Sequence, residues 1–413
     1  MSNTLKLGNG KWATGKDTLL SFSDTNNNYK PLPFSFSRAS SATVVNKDGL
    51  IETVGSGEPR IDFKDNTKGA LKLEPQRSNL LVQSNNFNTS WTKTLSTVTS
   101  KEIAAPISGE MADSIIATAT SGGHRVLQTP STTGVGTFTM YIKQKELSRI
   151  CVHFLGANKA AGFDCSDNTT FAATGIASYP TRYNISDFGN GWSKVEMYDV
   201  GITTRVDIYI ANPTSGGNNA VWTGDGTSKI YFSAAQFEIG SYATSYIPTS
   251  GQANGVTRVA DVCNNGGNEQ VINSTEGVFY FEGSALDDDV TDRKITLSDN
   301  SLNNRITFGF SRFTGNINAE VHSGGNLQTS GFGATGVDQT NNNKFAFSWG
   351  GGESKFYVNG TLASSHTNVT SPIGMNVLNF SLSSGFQKMY LNCKDVRVYN
   401  TRLSNAELIA LTQ

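Results

Sequence analysis

Residues 231–249 read YFSAAQFEIGSYATSYIPT, and this stretch decides the class of fold. Apolar and polar side chains alternate up to Gly240, aromatic and threonine-rich residues come next, and Pro248 ends the run. A period of two marks a strand that buries one face, and the residues after Gly240 read as an ordered exit loop. The stretch also poses a chemical question. Glu238 is either a catalytic acid or a side chain held within a strand.

Working outward, the same rhythm recurs in TFTMYIKQK, RICVHFLG, RVDIYIANP, GVFYFEGSA, RITFGFSRF, KFAFSWGG and KFYVNG. Gly, Asn and Asp interrupt these runs at intervals of roughly 8–12 residues, the signature of an all-β chain. Helical spacing is confined to LSNAELIALTQ, where Leu403, Leu408 and Leu411 accompany a Ser404 or Asn405 cap. The reading predicts an irregular β segment over residues 1–80, with a turn at Asp48 and Gly49, and a first antiparallel sandwich over 81–250. A Gly- and Asn-rich linker is predicted over 251–269, and a second sandwich with a short terminal helix over 270–413.

Composition narrows the function. With 33 basic and 34 acidic residues in 413, the chain lacks the charge excess that nucleic-acid binding or electrostatic membrane binding requires. It contains no apolar run long enough for membrane insertion. The opening MSNTLKLGNGKW has no basic region followed by an apolar one, so no secretory signal is expected. Charged residues make up only 16 %, so surface polarity comes from amides and hydroxyls. Such a surface suits neutral polar ligands such as sugars, and equally suits tight assemblies. Cys151, Cys165, Cys263 and Cys393 form no CxxC pair; buried free thiols are expected, with a Cys151–Cys165 bridge as the alternative.

Two sets of motifs carry a resemblance. KFAFSWGGGESKFYVNGTLASS and DVRVYNTRLSNAELIAL resemble the strand–hairpin–strand and closing strand–helix of the concanavalin A-like, laminin-G-like lectin/glucanase fold. The series FSRASSATVVNKDGLIE, EPRIDF, LKLEPQRSNLLVQSNNF, GNGWSKVE, VWTGDGTSKIYFSAAQFEIG, ATSYIPTSG and TRVAD resembles a pattern of bacteriophage virion proteins. Its portion over about 80–250 is similar to carbohydrate-binding-module jelly rolls. The resemblance implies a tail fibre, head fibre or capsid decoration, made in the host bacterial cytoplasm and located in the virion. It also implies a homotrimer that docks to other virion proteins through the N-terminal segment.

Glycoside cleavage normally needs two carboxylates about 5–10 Å apart, which residues i and i+2 of one strand supply at about 7 Å. The positions flanking Glu238 at that spacing are Gln236 and Gly240, and Glu282 stands alone on its strand. Glu238 is therefore assigned a structural role, and no catalytic residue is assigned. Asp287, Asp288 and Asp289 are calcium candidates, set against a solvated acidic turn; no other cofactor is implied. Trp222 and Trp349 lie beside glycine-rich loops and are candidate sugar platforms, with burial as the competing reading. Asp225, Tyr357 and Asn359 complete the candidate glycan-binding set.

These expectations combine into a non-enzymatic virion protein whose sandwiches bind cell-surface polysaccharide. The rivals are a purely structural decoration and a polysaccharide depolymerase.

Overall fold

The computed structural model describes the chain apart from residues 30–32, 131, 173–177, 203–204, 213–221, 330–331 and 384. Its described residues form antiparallel β-structure with one helix, Asn405–Thr412. The fold is all-β, as the alternation predicted. The division into units is different from the expected one: Met1–Ser41, Val54–Pro75 and Val259–Gln413 make one unit, and Ala42–Thr53 with Gln76–Arg258 make the other.

The first unit explains that correction. The strand Leu391–Tyr399 is flanked on one edge by Gly277–Ala285. Its other edge is shared by two N-terminal strands, Leu5–Gly8 (Leu5 opposite Val398) and Ala70–Leu73 (Leu71 opposite Cys393). Leu5, Leu7, Leu71 and Leu73 all enter the core with Phe279, Phe281, Phe345 and Val396. A segment whose leucines complete another sheet's core has no core of its own, so residues 1–80 do not stand apart. The predicted linker is likewise structured. Val256–Arg258 pairs with Arg77–Asn79 in the second unit, and Val262–Asn264 pairs with Phe34–Ser37 in the first.

The large sheet runs Thr361–Thr367, Glu353–Val358, Asn343–Gly350, Gly277–Ala285, Leu391–Tyr399, Leu5–Gly8 and onward to Asn28–Tyr29. The strands Arg293–Ser298, Arg305–Phe310 and Ile317–Ser323 lead a second sheet. Ile295, Phe308 and Phe310 from it share the core with Phe281 and Phe345, whose rings stack at 5.5 Å. Asn359 and Gly360 take φ of 47° and 80°, the two left-handed residues that a tight hairpin tip requires. Ser404 caps the helix through a reciprocal box with Glu407. Leu408 and Leu411 then bury against Val278, Tyr280, Tyr357 and Tyr399 on the outer face of the large sheet.

The second unit is a sandwich of two six-stranded sheets. One contains Arg149–Phe154 and Val206–Ala211, the other Gly134–Gln144, Trp192–Ile202 and Lys229–Ile239. Phe138, Ile142, Val152, Phe154, Val195, Ile208, Phe232 and Phe237 fill its core. All four cysteines are free, including Cys151 and Cys165.

Candidate functional site

Glu238 lies on Lys229–Ile239, which carries a bulge: Tyr141 pairs with Ser233 but Thr139 pairs with Gln236. Ala234, at φ 51°, absorbs the extra residue. The bulge inverts the parity of the strand. Ile230 and Phe232 face the core before it, Ala235 and Phe237 after it, so Gln236 and Glu238 turn to the opposite face. There the exit loop covers them completely. Glu238 accepts from the Thr244 backbone N–H at 2.7 Å, the Thr244 hydroxyl at 2.6 Å and Gln236 Nε2 at 2.9 Å. Gln236 Oε1 in turn accepts from the Ile247 N–H at 2.7 Å. A carboxylate so enclosed fastens the loop to the strand.

The predicted glycan residues are divided between the two units. Trp222 and Asp225 belong to one unit; Trp349, Tyr357 and Asn359 belong to the other. Trp349 is fully buried in the first unit's core, and a Cβ at Gly277 would lie 2.5 Å from its ring. Tyr357 is buried with the helix leucines. Neither can serve as a platform, because each ring fills the gap beside its sheet. Trp222 is half-buried, packs against the second core, donates to the Ile210 carbonyl at 3.4 Å and meets the His124 ring edge-on. Asp225 is exposed, but it accepts from Ser228 Oγ and from the Thr227 and Ser228 N–H groups at 2.6–2.8 Å. Those bonds hold its carboxyl well below the usual range and make it the staple of its own turn. Asn359 is exposed, and its side chain joins Lys344 N and Asn343 Oδ1, each at 2.9 Å.

Two of the three calcium candidates have partners within the protein. Asp289 is paired with the Arg293 guanidinium, and Asp288 accepts from the Gly315 N–H at 3.2 Å. Among the described residues no group of three His, Cys, Asp or Glu is placed to hold a metal ion.

A different constellation emerges on the outer face of the large sheet. The register sets Gly8 opposite Asp395, Asp395 opposite Glu282, and Glu282 opposite Lys344. In the next row Lys6, Arg397 and Tyr280 are neighbours. Directly opposed residues of an antiparallel pair share a face with Cα atoms about 4.5–5.5 Å apart. Glu282 and Asp395 are therefore a carboxylate pair, one that a search along single strands could not find. A cleft of about 540 Å³ opens over them, lined also by Asn9, Thr67, Lys68 and Lys394. Gly8 leaves the Asp395 end of the row without a side chain; a Cβ there would lie 2.2 Å from the Lys394 carbonyl oxygen.

The electrostatics are uneven. Glu282 accepts from the Tyr280 hydroxyl at 3.1 Å and Asn342 Nδ2 at 3.0 Å. Asp395 Oδ2 accepts from Arg397 Nε and Nη2 at 2.9 and 2.5 Å, whereas Oδ1 is buried with no partner among the described residues. Burial, reinforced by the Glu282 charge, raises the Asp395 carboxyl above its ordinary range despite Arg397 and Lys6. Burial also lowers the Lys6 ammonium. The site thus offers acceptors and donors at close quarters, and one buried acceptor still lacking a donor.

No protein-family model matches this sequence, and no curated protein matches it either. Among solved structures the chain is similar to the CBM40 of the Ruminococcus gnavus IT-sialidase, at 15 % identity over 34 % of this chain and 84 % of that one, with a TM-score of 0.30. The same module bound to alpha2,6 sialyllactose gives 14 % over 36 % and 93 %, with a TM-score of 0.30. Domain 4 of AbnA, a GH43 extracellular arabinanase from Geobacillus stearothermophilus, in complex with arabinotriose, gives 15 % over 42 % and 84 %, again at 0.30.

Proposed function

We propose that this chain is a structural component of a bacteriophage particle that grips surface glycans without cleaving them. The observation that carries the glycan reading is the cleft over Glu282 and Asp395. Its lining is mostly amide, hydroxyl and charged groups, with Met1, Ala410 and Leu411 as the apolar members, and Asp395 Oδ1 is a buried acceptor without a donor among the described residues. An unmet acceptor costs about 1–3 kcal/mol, and a sugar hydroxyl seated there removes that cost. Weak single contacts of this kind gain strength from many copies on one particle.

The virion assignment rests on the ordered motif series. A homotrimer and docking to other virion proteins belong to the same proposal, with docking assigned to the exposed positions of the N-terminal segment. Its leucines are committed to the first unit's core.

A second reading has a specific observation in its favour. Glu282 opposite Asp395 supplies two facing acids where the i, i+2 spacing along either strand supplies none, and the raised Asp395 carboxyl has the character of a proton donor. This supports a depolymerase. Purified chain on an array of bacterial surface polysaccharides tests the proposal, with chromatography of the same glycans for released oligosaccharides. Retention without release is expected. Release of fragments, abolished by Glu282→Gln, replaces adhesion by cleavage. A blank array leaves the purely structural decoration.

A further inference from the structure

The outer face of the second sheet of the first unit carries another cleft, of about 390 Å³. On its strands Ile295, Ile306, Phe308 and Ala319 face the core, so Lys294, Thr307, Asn318 and Glu320 face away. Lys294 pairs with Gly309, and Gly309 with Asn318. The middle member has no side chain, and a Cβ there would lie 2.0 Å from the Arg293 carbonyl oxygen. A slot therefore separates the lysine from the asparagine, as glycine within a strand permits.

The charges around this slot do not balance. Arg305 sits 3.8 Å from Glu320, and Arg312 sits 3.8 Å from Asp292, which also accepts from Gln387 Nε2 at 3.3 Å. Both acids thus have a guanidinium, and among the described residues the Lys294 side chain has neither an ion pair nor a hydrogen bond. Lys294 is 5 % exposed, and its Nζ and the Asn318 Oδ1 are both buried without partners. Burial holds the Lys294 ammonium below the ordinary lysine value, although Glu320 and Asp292 favour its charge. A buried ammonium without a counter-charge is costly, and a surface cleft is where a ligand can supply one. At the rim Phe313 is 47 % exposed.

We propose that this cleft binds the carboxylate of an acidic sugar, with Lys294 as counter-ion. One positive charge is left over, which calls for a monoanion and not for a dianionic phosphate. Asn318 Oδ1 needs an N–H or O–H donor, which a ring hydroxyl supplies, and Phe313, with the Arg312 guanidinium 5.2 Å from its ring centroid, gives the C–H groups of a pyranose an apolar rim. The proposal shares with the adhesion reading the premise of a sugar ligand, but it uses another face and other residues.

Calorimetric titration of the full chain with sodium glucuronate tests it, with glucose, acetate and inorganic phosphate as the other arms. Glucuronate is expected to bind at least tenfold more tightly than each of these. Lys294→Met should weaken it tenfold or more, and Asn318→Ala and Phe313→Ala severalfold each. Since removing the ammonium also removes a buried charge, Lys294→Met should melt no lower than the parent. Equal binding of glucose, acetate or phosphate overturns the proposal, as does unchanged glucuronate affinity in Lys294→Met and Asn318→Ala. A blank polysaccharide array with intact glucuronate binding then refutes only the adhesion reading, and loss of glucuronate binding refutes only this one.

Discussion

Arg60 and Asp261, 201 positions apart, meet as an ion pair with neither side chain exposed. Asp261 also takes Arg38 at 3.0 Å and the Glu74 backbone N–H at 2.8 Å, and Arg60 takes Glu74 at 2.5 Å. Burial alone would lower the Arg60 guanidinium, but the two carboxylates outweigh it and hold it above its ordinary value. These four residues come from the motifs FSRASS, EPRIDF, LKLEP and TRVAD. In this chain those motifs encode a buried network that ties three separate segments into one unit.

Breaking this network should be severe. Asp261→Asn leaves two buried guanidinium groups short of charge and should destabilise the first unit by about 3–5 kcal/mol. Urea unfolding measures this. Arg60→Met combined with Asp261→Asn should cost much less than the two single changes added together. Simple additivity would mean that the pair is not coupled.

Glu238→Gln bears on the first question raised by the sequence. The substitution replaces an acceptor-only group with one that must also place two N–H donors in a closed space. We expect about 1–3 kcal/mol lost from the second unit and glycan retention unchanged once the protein is folded. A selective loss of binding or turnover at full stability would return Glu238 to the functional residues.

For the acid pair, Glu282→Gln and Asp395→Asn separate grip from cleavage. If the cleft only binds, Glu282→Gln should weaken retention about tenfold, or about 1.4 kcal/mol, and no product should form with either protein. If it cleaves, product formation should fall by about 10²–10⁴-fold while retention persists.

Acid sensitivity should be traceable to Asp164. Burial would raise this carboxyl, but donors on Ser166 and Arg149 outweigh it and bring it to about 2. A folded value below the unfolded one means stability that is present above about pH 4 and lost as the pH falls towards about 2. Denaturation of wild type and Asp164→Asn at several pH values should show a gap that closes over that window. A constant gap would place the acid transition elsewhere.

Much of the architecture was legible in the order of residues. Period-two alternation marked most strands, Asn359–Gly360 marked a hairpin tip, and leucines at helical spacing after a Ser404 or Asn405 cap marked the terminal helix, because each is a local property of a few consecutive residues. The same locality misled the reading of Trp349 and Tyr357. Adjacent glycines suggest an open loop, but burial depends on which other segment lies across the ring. The N-terminal leucines look like a loose arm until Leu391–Tyr399 is seen beside them.

Local patterning was enough to specify an all-β chain with short antiparallel strands, and composition gave no charge excess for nucleic acid. Where the candidate sites lie came from long-range pairing. A single bulge at Ala234 turned Glu238 out of one core and into a closed loop contact. Strand register set Glu282 beside Asp395 and left Lys294 facing a glycine. Alternation fixes which face a side chain takes relative to its neighbours. Only pairing between distant segments, with their bulges, fixes what that face meets.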